Sequence, residues 1–140
     1  MRNSLISKLL LFVLAVCLLV IYAEADTAYA DNSLDGKTFL VKLSYKDKDG
    51  EPTDDELIFK DGTFFSTDCE QYGFSPAAYE SETRGDITMF GSLLKSEKEG
   101  EAYWEGKIEG DSIEGRLVWV KEGQDQMVYK FEGSLKNRSR

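Results

Sequence analysis

The chain has 140 residues, of which 26 are acidic and 17 basic, with no histidine and a formal net charge of −9. That balance argues against nucleic acid, whose phosphates demand a basic surface, and against docking on anionic lipid. The missing histidine removes the commonest general base at neutral pH.

The chain opens "MRNSLISKLLLFVLAVCLLVIYAEADTAYADNS". Arg2 and Lys8 form a basic lead-in, Leu9 to Ala23 is an uncharged apolar run, and small residues follow. These three parts predict a secretory signal helix over residues 1–30, because the run falls short of the roughly 20 residues of a spanning helix. Ala23/Ala25 and Ala28/Ala30 both satisfy the cleavage rule. A cut after Ala30 is favoured over one after Ala25, leaving one domain over residues 31–140. Cleavage leaves the net charge at −9, since Arg2 and Lys8 depart with Glu24 and Asp26. The expected product is periplasmic or secreted, kept soluble and monomeric by its acidity, with no stable membrane insertion.

From Asp35-Gly36 onward the apolar period is two, the period of strands. "KTFLVKLSY" places Phe39, Val41, Leu43 and Tyr45 on one face. "ELIFK", "GTFFST", "AAYESET", "DITMFGSLLK", "AYWEGKIE", "SIEGRLVWV" and "MVYKFEGSLK" follow, eight candidate strands in all. The connecting segments, such as "KDG", "RGD", "SEKEG" and "GD", are turn chemistry. The predicted fold is all-β: a small eight-stranded antiparallel up-and-down meander barrel, lipocalin-like in miniature, whose closure removes exposed edges.

Within this pattern a short unit recurs as "WEGKI", "IEGRL" and "FEGSL". Gly106, Gly115 and Gly133 then fall on the inward face, beside Trp104, Trp119 and Phe131. Glycine weakens a strand, so its repetition points to a demand for space in a narrow, coiled sheet. Glu105, Glu114 and Glu132 alternate outward as solvated charges. "RGD" at 84–86 and "IEGR" at 113–116 are explained by a turn and a strand.

Removing residues 1–30 takes Cys17 and leaves Cys69 as a lone thiol, so no internal disulfide forms. Asp68 and Glu70 beside it disfavour a thiolate, and a buried structural role is expected. "DKDGEPTDDE", residues 47–56, has its glycine fourth rather than sixth and lacks flanking helices, unlike an EF-hand loop; it is expected to be a solvated hairpin loop. No phosphate loop, metal cluster or nucleophile–base pair stands out, so the chain is expected to be no enzyme and to need no cofactor. "CEQYGFSPAAY", residues 69–79, breaks the strand pattern and carries Tyr72, Phe74 and Tyr79, which suits a lid over one end of the barrel.

The segments "DGTFFSTDCEQYGF", "WEGKIEGDSIEG" and "VYKFEGSLK" resemble a family of small secreted or periplasmic bacterial domains of unassigned activity, over about residues 34–136. That resemblance implies an extracytoplasmic setting. Two functions compete. A small apolar ligand would sit inside the barrel against Trp104, Trp119, Tyr129 and Phe131. A protein-interaction or inhibitor module would instead use Tyr72, Phe74 and Tyr79 with the acidic surface, toward a cationic protein.

Overall fold

The structure, a computed structural model, describes residues 33–46 and 49–137. The signal peptide predicted over residues 1–30 lies outside the described residues, as do Asp47 and Lys48 of the acidic loop. Eight antiparallel strands close into a barrel in chain order. They are β1 (Thr38–Tyr45), β2 (Thr53–Lys60), β3 (Thr63–Ser66), β4 (Ala77–Arg84), β5 (Ile87–Ser96), β6 (Gly100–Glu109), β7 (Ser112–Val120) and β8 (Met127–Leu135). β8 returns to β1 along Phe39↔Leu135 to Tyr45↔Tyr129, which is the closure that the period-two pattern predicts.

Alternation decides the core. Phe39, Val41 and Leu43 of β1 are buried while Leu40 and Lys42 face solvent, and β6 buries Ala102, Trp104, Gly106 and Ile108 in the same rhythm. Rings fill the middle. Phe59 meets Phe39, Phe64, Tyr79 and Phe90 with centroids 5.1–6.1 Å apart. Trp104 meets Phe64 and Phe131 at 5.5 and 5.4 Å. Each such ring pair adds roughly 0.5–1.5 kcal/mol beyond its buried area.

The inward glycines are where strands and rings come closest. A Cβ at Gly106 would stand 2.6 Å from the Glu114 carbonyl oxygen, 2.9 Å from Phe90 Cε1 and 3.0 Å from Phe131 Cζ. Gly106 and Gly115 are direct cross-strand partners, so bare backbone lies against bare backbone with two phenyl rings packed over it. Gly110 serves differently: at φ +59° it opens the two-residue turn between β6 and β7, the conformation that glycine adopts most cheaply.

Both ends are sealed. At the near end, where β1 begins, Leu34 is fully buried, and the Asp35 carboxylate accepts from the Tyr79 hydroxyl (2.8 Å) and the Gly62 amide (3.0 Å). At the far end a single helical turn, α1 (Thr67–Glu70), interrupts the strand pattern after Ser66. The segment that follows covers this end: Phe74 is buried, and Phe74 and Tyr72 both pack on Trp119, at 5.7 and 5.1 Å. Its backbone is tied to β5 by the Ser96 hydroxyl donating to the Tyr72 carbonyl (2.8 Å).

Candidate functional site

The residues that the sequence singles out divide between core and far end. Trp104, Phe131, Tyr79 and Phe74 are buried, and Trp119 and Tyr129 are half-buried. Tyr72 alone is exposed, at 39%. Trp104, Phe131 and Tyr79 join the core rings, Tyr72 and Phe74 pack on Trp119, and Tyr129 packs on Tyr45, so the seven do not converge on one site. Trp119 also donates from Nε1 to the Glu99 carbonyl at 2.6 Å, pinning the β5–β6 turn over the far end.

Asp55 anchors α1 from β2, and Cys69 is the buried residue of α1. The buried Asp55 carboxylate accepts from the Ser66 hydroxyl (2.6 Å), the Thr67 hydroxyl (2.9 Å) and the Asp68 amide (2.9 Å). Ser66 in turn caps α1 by accepting from the Cys69 amide (3.3 Å). A buried carboxylate with this many donors is a fully satisfied structural group. No sequence period announces it, because Asp55 looks like one more acid in an acidic loop. Burial pushes the Cys69 thiol up to about 11; Ser66 pulls it back, the charges of Asp55 and Asp68 add to the rise, and the Trp104 indole opposes it. That indole Nε1 is buried with no hydrogen-bond partner of good geometry. The thiol is therefore a poor nucleophile.

A depression of about 1020 Å³ lies on the outside of the barrel, bordered by residues of β4 to β8 and the end of β1. Its centre is the solvent face of β6 and β7. Glu105 pairs with Arg116 and Lys107 with Glu114 (2.9 Å), both across the β6–β7 ladder. Beside them runs a row that the sequence analysis did not single out. Register sets Leu93 opposite Tyr103, Tyr103 opposite Val118, and Val118 opposite Val128. Leu93 and Tyr103 are 38% and 41% exposed, the two valines half-buried. Next along β5, Gly91 is bare, and the Tyr103 hydroxyl leans over it, 3.5 Å from where a Cβ would stand. Partial burial raises the Tyr103 pKa, and the Glu105 carboxylate that accepts from it raises it further.

Outward apolar residues carry the one signal that could have revealed this row. "LL", "YW", "VW" and "VY" each put apolar side chains on consecutive positions, and consecutive residues of a strand face opposite sides. Among the described residues no cluster of three or more histidine, cysteine, aspartate or glutamate side chains is arranged to hold a metal ion. Compared with known protein-family models, curated proteins and solved structures, the chain matches none.

Proposed function

We propose that the chain is an exported, non-enzymatic β-barrel module that binds a protein through the outer face of β5–β8. The observation that carries this is the row Leu93–Tyr103–Val118–Val128, four apolar side chains in register on the solvent side of a sheet whose inner side is already packed. Apolar surface gathered in one place and bordered by charges is the anatomy of a docking face. The partner that fits it offers apolar side chains flanked by charges of both signs. A small apolar ligand inside the barrel would have to displace rings already in contact at 5.1–5.7 Å. Export is supported by the three-part pattern of residues 1–30. The non-enzymatic reading is supported by the absence of histidine from the sequence and by the Cys69 thiol held up to about 11.

A photo-crosslinking amino acid at position 103, with a control at exposed Glu97 in the β5–β6 turn, tests the face in the producing cell. The expected result is a discrete adduct from position 103 that Val118→Lys abolishes, with none from position 97. Equal adducts from both positions would overturn the proposal. So would saturable one-to-one quenching of tryptophan fluorescence by an apolar ligand near 1 μM, about −8 kcal/mol, which would move the site inside the barrel.

A further inference from the structure

We infer that the protein bound on this face is a second copy of the chain, related by a twofold axis that runs parallel to the strands between β6 and β7. The inference rests on the docking face proposed above and adds the identity of its occupant. Its basis is the arrangement of charge. One row, read from β4 to β8, is Glu80, Gly91, Glu105, Arg116, Lys130. Acid occupies one side and base the other. The next row, from β4 to β8, reads Glu82, Met89, Lys107, Glu114, Glu132; Glu82 is paired with Arg84 of its own strand, and on β6 and β7 the signs are reversed.

A twofold axis lying in a face sets each side of that face on the opposite side of its mate while every row stays on itself. Arg116 then meets Glu105 of the second copy, and Glu114 meets Lys107 of the second copy. The apolar row covers itself, Val118 on Tyr103 and Val128 on Leu93. A uniformly cationic partner would satisfy Glu80 and Glu105 but would confront Arg116 and Lys130 with their own sign, so the alternation selects a mate that alternates in the same way.

Two features of the single chain point to the same occupant. The β7–β8 register sets Arg116 directly opposite Lys130 and Glu114 directly opposite Glu132, and like charges in that position repel. Arg116 and Glu114 find countercharges on β6. Lys130 and Glu132 make no ion pair among the described residues, and neither does Glu80. The missing side chain at Gly91 opens a gap between Glu80 and Glu105, its cross-strand neighbours on either side. The twofold axis carries Lys130 of the second copy over this gap, within reach of two carboxylates and the Tyr103 hydroxyl.

Sedimentation velocity of the purified exported chain, from about 1 to about 200 μM, tests the inference. The expected result is a reversible monomer–dimer equilibrium that weakens with salt. Lys130→Glu and Glu80→Lys should each weaken it at least about 10-fold, because each sets like charges together twice across the axis. An equimolar mixture of these two variants should recover the wild-type dissociation constant, since the mixed dimer has opposite charges at both contacts. Both positions are exposed, and unchanged melting temperatures would show that the variants fold. A wild-type chain that stays monomeric, or variants that weaken the dimer without rescuing each other, would overturn the inference. A monomer that still crosslinks from position 103 to a different protein overturns the second copy while the docking face stands; a monomer without that adduct overturns both.

Discussion

Substituting Gly115 with alanine adds one methyl group where β6 and β7 come very close together. The new carbon would collide with the Glu105 carbonyl oxygen and stand 2.5 Å from Phe131 Cζ and 2.6 Å from Gly106 Cα. Unstrained carbon contacts sit near 3.5–4.0 Å, so the two strands must part by about 1 Å or the phenyl ring must leave. Two of the three obstacles are backbone, and parting them weakens about two ladder hydrogen bonds at about 1 kcal/mol each. Crowding of the Phe131 ring adds about 1–3 kcal/mol. Restricting the unfolded chain gives back at most about 1 kcal/mol. The net loss is about 2–4 kcal/mol, a fall in melting temperature of at least about 8 °C for a domain of this size. Gly91→Ala is the control, because its methyl meets only Tyr103 Oη at 3.5 Å and Trp104 O at 3.8 Å. That variant should be as stable as the wild type or gain up to about 1 kcal/mol. Urea unfolding followed by tryptophan fluorescence, with thermal melts by circular dichroism, measures both. A Gly115→Ala protein as stable as the wild type would refute the idea that close strand approach is what demands glycine here.

Asp55→Ala should cost about 3 kcal/mol or more, because it strands the Ser66 and Thr67 hydroxyls and the Asp68 amide; α1 should open with it, seen as faster amide exchange at Asp68 and Cys69, and unchanged exchange would contradict the anchoring role. The Cys69 thiol, raised from 9.0 to about 11 by burial before any other cause, ties stability to alkaline pH. The unfolded chain loses this proton first, so stability is complete below about pH 9 and declines toward about pH 11. Cys69→Ala should flatten that part of the stability–pH curve, and an unchanged slope would show that other groups set it. The protein recovered from the producing cell should have an intact mass beginning at Asp31; a mass that retains residues 1–30 would refute cleavage and favour a membrane anchor.

Period-two alternation, the spacing of turn residues and the want of any long amphipathic helix were enough to specify eight antiparallel strands and a meander. Alternation is a local property, and a closed barrel is the simplest way for short consecutive hairpins to bury one face of each strand. The glycine repeats also told of crowding before any coordinates, since residues that weaken strands recur only where space requires them. Three things lay beyond the sequence. α1 exists because the Asp55 carboxylate, brought over from β2, gathers the donors of Ser66, Thr67 and Asp68; four residues of helix have no period of their own to detect. The aromatic residues from Tyr72 to Phe131 that looked like a binding set became mostly core and end seal, because a barrel this narrow draws its large rings inward. The outer row of Leu93, Tyr103, Val118 and Val128 required register. Residues from four strands, 93 to 128 in the chain, become neighbours only when the β5–β6 and β6–β7 turns and the β7–β8 connection set how far each strand slides past the next, and a slip of one residue would have turned the same side chains to the opposite face.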